Sequence, residues 1–342
     1  MLKTPFTVLG VAACAVFLAG CNPDNNTATA PPAPGAAPST APAASGPLKV
    51  ALLTTGPVND GGWNQSAFDG VQAVKKTLGA QIDNQENVKA DQIESAMRDY
   101  ASSGYKIIFC HGDEYSDPAK AVCGAFPNSY FVTTGGDNSA ANLIPIHIAT
   151  EEGTYLQGIE AGFLTKTHKG GFIGGQESAP VKQAADAFEA GAKSVDPKFT
   201  LTETYINSWD DTVKAKTNTV ALLNSGCDII IHNCDAAAKG MFDTAGVAPN
   251  VYTFGVNYNE NAKAPNCVSS AVSDVPTMFV QIAKEVQSGK ITDPKPSLGV
   301  ANGDVNLVNN PKLVHLFTPA QLAKVAAAEK GIADGSIKMP AE

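Results

Sequence analysis

Arginine is all but missing: Arg98 is the only one in 342 residues. Lysine and arginine together number 24 against 33 acidic residues, so the formal charge is −9, and no basic cluster appears. A chain so poor in fixed cations cannot neutralise a phosphate backbone, which excludes nucleic acid as a partner. The five histidines, at 111, 147, 168, 232 and 315, have no zinc-like spacing. No G-x-x-x-x-G-K-S/T phosphate loop and no G-x-S-x-G elbow occurs, and no cofactor is called for. "GGFIGG" is glycine-rich but reads as a buried strand between tight turns. Beyond the N-terminal leader, no apolar run approaches membrane-spanning length.

What is present begins at the N-terminus. Lys3 precedes the apolar run "VLGVAACAVFLAGC", a basic n-region and a short h-region. It ends in Leu18-Ala19-Gly20-Cys21, which resembles the bacterial lipobox, so residues 1–20 are expected to be a signal peptide and Cys21 the lipidated first residue of the mature protein. Residues 21–47 are rich in Pro, Ala, Ser and Thr and cannot bury enough apolar surface to offset their ordering entropy. Together these predict a globular domain tethered to a membrane, not spanning it.

Seven cysteines are present. Cys14 leaves with the leader and Cys21 is acylated on this reading. The odd set Cys110, Cys123, Cys227, Cys234 and Cys267 remains, and export permits disulfides. A Cys110–Cys123 bond and buried free thiols are both open. Cys227 and Cys234 flank an extended strand and stand too far apart to join.

From about residue 48 the chain alternates short apolar runs with segments of helical spacing. "KVALL", "YKIIFC", "SYFVTT", "GGFIGG", "LTETYI", "CDIIIHN" and "NVYTFGVN" read as strands. Phe68, Val71, Val74 and Leu78 recur at helical spacing, as do Ile93, Met97 and Tyr100. Further helices are expected near 181–195, 210–224 and 235–245, with a last one in "TPAQLAKVAAAEKGIADG". Such alternation predicts an α/β protein of two lobes, each a parallel sheet flanked by helices. The lobes are expected at 48–149 with 274–295 and at 150–273 with 296–310, followed by a helical tail, 311–342. Hinge positions are expected near Thr150, Asp274 and "PKPSL".

Ligands bind beyond the carboxyl ends of strands in such sheets. The loops there are rich in polar groups, glycine and the chain's two tryptophans: "TTGPVNDGGWN", "HGDEYSD", "TTGGDN", "GGQESAP", "NSWDD", "HNCDA" and "GVNYNEN". They place Trp63, Asp60, His111, Gly112, Trp209 and Asp235 at an interlobe cleft. Trp63 can instead pack α-helix on sheet, Phe68 can belong to the core, and Asp60 and Asp235 can be helix caps.

"NDGGWNQSAFDGVQ" resembles the D-x-x-F-N-x-x-A-x-x-G motif of the basic membrane protein family, lipoproteins related to the purine nucleoside receptor. The likeness continues through "EEGTYLQGIEAG", "GFIGGQESAPVKQAADAFEAGAKSVDP", "SWDDTVKAKTNTVALLNSGCDIIIHN" and "FGVN". It implies a type I periplasmic-binding fold and a lipid-anchored solute-binding protein in the cell envelope. Its partners would be an ABC permease and ATPase, and its ligand a purine nucleoside, a nucleobase or a similar small polar molecule. The resemblance also places Asn59, Asp60, Asn64 and Phe68 at the base, with Phe68 as one stacking face. For the opposite face, His232, Trp63 and Trp209 are the alternatives. The ribose-holding pair departs from the pattern, with Asn257 in place of an aspartate and Ser273 in place of a lysine. Loss of charge assistance roughly halves such hydrogen bonds. The rival readings are a sensory receptor of the same fold and a nucleoside hydrolase, whose metal-binding carboxylates or activated nucleophile the sequence does not offer.

Overall fold

The computed structural model describes residues 46–340. The leader, Cys21 and most of the tether lie outside the described residues. The chain runs β1 (Lys49–Thr54), α1 (Trp63–Leu78), β2 (Gln81–Gln85), α2 (Ile93–Ser102), β3 (Ile107–His111), α3 (Ser116–Cys123), β4 (Tyr130–Thr134) and β5 (Leu143–Ile148). It continues with α4 (Thr150–Leu164), β6 (Lys169–Gly174), α5 (Ala179–Lys193), β7 (Thr200–Tyr205), α6 (Thr212–Asn224), β8 (Ile229–Asn233), α7 (Ala238–Ala245), β9 (Tyr252–Asn257) and β10 (Cys267–Ser273). Last come α8 (Val275–Ser288), β11 (Ser297–Leu298), β12 (Val305–Asn309) and α9 (Pro319–Ala333).

Two six-stranded sheets result, ordered β11-β5-β4-β3-β1-β2 and β12-β10-β9-β8-β6-β7. All pairs are parallel except β10–β12, which is antiparallel. The central strands read as continuous buried runs because helices cover both faces. β2, an edge strand with Ile82 as its one apolar side chain, gives almost no periodic signal.

Three segments join the lobes: β5 to α4, β10 to α8, and β11 to β12. The third differs from expectation. Residues 296–310 are expected in the second lobe, yet Ser297 and Leu298 pair with His147 and Ile148 of β5 in the first sheet. The crossing is the turn after Leu298, where Gly299 O accepts from Asp304 N and Val305 N. Backbone pairing to an open sheet edge outweighed the polar look of "PKPSL". Asp274 N donates to Asp304 O at 2.7 Å, tying two crossings together. Val300 N donates to Glu152 Oε2 at 2.6 Å, tying the third to the start of α4.

Helix α8 packs on α1, and α4 packs on α5 more closely than ordinary side chains allow. A Cβ on Gly158 would stand 2.0 Å from Phe188 O, and one on Gly191 would stand 2.0 Å from Tyr155 O. Only glycine lets the two backbones meet there. Beneath them, Gln157 Nε2 donates to Gly255 O at 2.8 Å and Ser269 Oγ donates to Glu160 Oε2 at 2.5 Å. Glu160 is fully buried, and burial pushes its carboxyl up to about 8.

All five cysteines in the described residues are free and buried. The Cys110–Cys123 bond left open by the sequence does not form: both side chains are absorbed into the apolar layer of α2 and α3.

Candidate functional site

A cavity of about 480 Å³ lies at the carboxyl ends of the strands of both sheets. The first lobe supplies Trp63 at the start of α1, Gly112 to Glu114 after β3 and Thr134 to Asp137 after β4. The second supplies Ser178 to Val181 at the start of α5, together with Trp209, Asn233, Asp235 and Asn257. His147 and Thr150 close the end where the lobes join.

Trp63 is held by the turn before it and by a buried histidine beneath it. The turn before it is built by Asp60, whose Oδ1 accepts from Gly62 N at 2.9 Å and Gln65 N at 3.0 Å. Its Oδ2 accepts from Asn64 N at 3.0 Å and Asn64 Nδ2 at 2.9 Å. The carboxylate thus satisfies the orphan N–H groups of the first turn of α1 and neutralises its dipole end. Gly61 takes φ 68°, the left-handed conformation that lets the chain turn into the helix. The indole then lies flat on the imidazole of His111, centroids 4.0 Å apart and planes at 24°. His111 Nε2 is 3.0 Å from Trp63 O, and Thr134 Oγ1 is 2.9 Å from His111 Nδ1. Burial pulls the imidazole down to about 3, so it is neutral. The carbonyl can only accept, so Nε2 carries the proton and Nδ1 accepts from Thr134.

Trp209 is seated differently. It follows β7 and lies over Gly175, where a Cβ would come within 2.1 Å of Trp209 Cε3. Trp209 O also accepts from Ala237 N at 3.0 Å, which ties the tryptophan loop to the loop carrying Asp235. Asp235 and Asn257 both adopt positive φ, 48° and 68°, which turns these side chains out of the strand direction at the cleft wall. Asn257 Oδ1 is 3.5 Å from Thr150 Oγ1 at the first crossing.

The charge of the wall is one-sided. Asp113, Glu114, Asp137 and Asp235 line it, with no lysine or arginine among the lining residues. Burial in the cleft, then the neighbouring Asp113, push the Glu114 carboxyl up to about 7. Its side chain still meets cleft solvent, so the shift reflects the enclosing walls and not a dry core. Asp235 is pushed up as well, by burial first and then by Asp60, Glu114 and Glu260. His147 is the one basic group, raised by its contact with Glu151, 3.4 Å away.

Comparison with known proteins decides the family. Residues 48–338 match the model of the ABC transporter substrate-binding protein PnrA-like family. The chain belongs to that family. A curated relative, the ABC transporter nucleoside-binding protein BmpA of Lactococcus lactis, is 29% identical over 322 residues, covering 86% of this chain and 90% of its own. A purine-binding protein of Brucella abortus is 31% identical over 194 residues, covering 56% of this chain and 55% of its own. Among solved structures, an ABC transporter solute-binding protein of Aeropyrum pernix matches with TM-score 0.78 at 18% identity, covering 86% of this chain and 94% of its own. One from Conexibacter woesei matches with TM-score 0.69 at 23% identity, covering 86% and 98%. The type I periplasmic-binding architecture is therefore shared.

Of the residues singled out from the sequence, Trp63, Gly112, Trp209, Asp235 and Asn257 line the cavity. Asn59, Asp60, Asn64, Phe68, His111 and His232 stand outside its lining. Each has a physical reason. Asp60 has both oxygens committed to α1, and Asn64 is buried with its amide donating to Asp60. Asn59 is exposed outside the wall, and Phe68 packs against the core of the first lobe. His111 backs Trp63 from below. His232 is sealed off, its Nε2 2.6 Å from Glu260 Oε2 with both side chains nearly fully buried. Ser273, at the end of β10, is likewise buried and not part of the lining. Sequence reasoning missed Glu114, Asp137, His147 and the start of α5. Their loops carried the signal, but nothing in the sequence said which side chains turn inward.

Proposed function

We propose that this chain is the lipid-anchored receptor subunit of an ABC importer, holding a purine-like nucleobase, nucleoside or similar flat ligand between its lobes for a membrane permease. One observation carries the reading: two tryptophans, from different lobes, line one cavity of about 480 Å³, each braced from behind. Bracing fixes the ring planes before a ligand arrives, which reduces the ordering cost of binding. Each stacked ring pair contributes about 0.5–1.5 kcal/mol beyond burial. Gly112, Asp235 and Asn257 would contact the ligand's edge, while Asp60 and His111 hold Trp63 in position. The names of the relatives, a nucleoside-binding and a purine-binding protein, support the ligand class. Asn257 offers an uncharged partner for hydroxyls, which favours a free base over a nucleoside.

The ligand would leave chemically unchanged, so the protein acts as a binder and not as an enzyme. The lobes would close by rotation about the segments near Thr150, Asp274 and Gly299. Lipidation at Cys21 would hold the domain at a bacterial membrane. A thermal-shift screen of nucleobases, nucleosides and sugars tests the reading, followed by chromatography of the recovered ligand. Stabilisation by at least one purine-type compound, recovered intact, is expected. A response to sugars alone would overturn the ligand class, and a hydrolysed product would overturn the transport role.

A further inference from the structure

We propose that the cleft selects an organic cation: a flat nitrogen heterocycle carrying positive charge, with anionic relatives such as nucleotides rejected. This rests on the reading above that the cleft takes a planar ligand, and adds the sign of its charge.

The wall carries Asp113, Glu114, Asp137 and Asp235, drawn from both lobes, and neither lysine nor arginine. Lys263, whose ammonium lies over Gly61, is not part of it. Asp60 and Glu260 stand close enough behind Asp235 to add repulsion. Two positive influences oppose them. His147 is one, and it faces Glu151, Glu152 and Asp137. The other is the open N-terminus of α5, which has no acidic residue in its first turn and no side-chain cap. Such a helix end amounts to about half a unit charge, less than one carboxylate. Ser178 Oγ, at that helix end and in the lining, is buried without a hydrogen-bond partner. It suits a ring nitrogen or carbonyl at the ligand's far edge.

Indole faces attract cations, most strongly where water is excluded. Two tryptophans among four carboxylates therefore make one consistent environment for a charged flat ring. A neutral purine would use the stacking and leave the carboxylates repelling one another. Burial first, and neighbouring carboxylates after it, raise the Glu114 and Asp235 carboxyls, so both hold protons more readily than free carboxylates do. A cation would displace those protons. Its affinity must then rise as pH rises, whereas a neutral ligand that accepts from a protonated carboxyl must bind more weakly as pH rises. Deprotonation of His147 acts in the same direction as the carboxylates.

The test is titration calorimetry of the whole chain with adenosine, 1-methyladenosine, adenosine 5′-monophosphate and thiamine, representing a neutral, a cationic and an anionic purine and a cation of another ring type. Titrations are run at pH 5, 6 and 7, where 1-methyladenosine keeps its charge, and at low and high salt. 1-Methyladenosine should bind at least about tenfold more tightly than adenosine, on the scale of one close charge pair near a protein surface. Its affinity should rise with pH, fall with salt and be accompanied by proton release. Asp137→Asn and Asp235→Asn, each checked by thermal melt, should narrow the gap between the two by several-fold. Tighter binding of adenosine or the monophosphate, or an affinity for the cation that falls with pH, overturns the charge inference and leaves the purine reading intact. Binding of thiamine alone keeps the charge inference and overturns the purine reading. No binding of any of the four overturns the charge inference, and the purine reading then stands or falls with the nucleobases of the thermal-shift screen.

Discussion

The indole of Trp63 and the imidazole of His111 form a single stacked unit, 4.0 Å between centroids, in which the histidine is wholly buried and the tryptophan reaches the cleft. The cleft surface is thus set by a residue that never touches it. The plane of Trp63 follows from the tautomer of His111, and the tautomer from Thr134 and the Trp63 carbonyl.

Replacing His111 with Ala should therefore weaken binding of the screen's best ligand and shift the tryptophan emission, although no ligand contact is removed. The stability cost should be about 2–4 kcal/mol, through the cavity left behind. His111→Phe should restore part of the affinity by restoring a flat support. Fluorescence spectra and binding curves of the two variants make the check; equal affinities in both would mean that Trp63 holds its plane unaided.

Asp60 separates a capping role from a ligand contact. Asp60→Asn keeps one acceptor oxygen for Gly62 N and Gln65 N but turns an NH2 toward the donors of Asn64, so it should bind within about twofold of the parent at some cost in stability, while Asp60→Ala should lose about 0.5–2 kcal/mol as the whole cap is lost. Denaturant midpoints beside titrations decide this. A large loss of affinity in Asp60→Asn at unchanged stability would point to a direct contact by the charged group.

Glu160 predicts a slope of stability with pH. Its folded value, about 8, lies above the ordinary 4.5, so the native state holds a proton that the unfolded chain gives up between those values. Its contribution is present below about 4.5 and is lost as pH rises to 8. Glu160→Gln, neutral and of the same shape, should gain on the parent by up to about 1.4 kcal/mol per pH unit across that window. His111 acts oppositely: with its folded value near 3, it costs stability as pH falls below the ordinary 6.5. Melting temperatures of parent and Glu160→Gln from pH 5 to 8 should diverge steadily; parallel curves would show that Glu160 is charged throughout.

The five cysteines of the described residues are buried and unpaired. Reductant should leave the melting temperature unchanged, and a thiol reagent should react only as the chain unfolds. Burial holds the Cys110, Cys234 and Cys267 thiols above their ordinary range, which suppresses the reactive thiolate. A melting point lowered by reductant would indicate a bond formed in solution.

Much of the fold was legible because its signals are local. "YKIIFC" and "CDIIIHN" carry short, β-branched apolar centres bounded by polar or turn residues, the length and composition of a strand covered on both faces. The strand-end loops were legible as a cleft for the same reason. Asp60 was harder to place. An aspartate ahead of a helix is suited both to a cap and to a ligand, and the choice depends on whether donors fill both oxygens: here the backbone N–H groups of Gly62 and Gln65 fill Oδ1, and the backbone N–H and side-chain amide of Asn64 fill Oδ2. His232 was misjudged because its partner, Glu260, lies 28 positions along the chain, beyond any local pattern. The β11–β12 crossing depends on which sheet edge is open, a property of the assembled lobes and not of "PKPSL".

The meeting of Gly158 with the Phe188 carbonyl, and of Gly191 with the Tyr155 carbonyl, has a mechanical meaning. Helix α4 begins at Thr150, where the lobes join, and α5 begins at Ser178, on the cleft wall. Backbones in direct contact leave no side chains between them to slide or repack. The pair is geared: a turn of α4 at its root moves Ser178 by the corresponding arc, with no slack to absorb it. A methyl group at either glycine would act like grit in that gear, forcing the helices apart and shifting the rim of the cleft some twenty residues away in the chain from the change at Gly158.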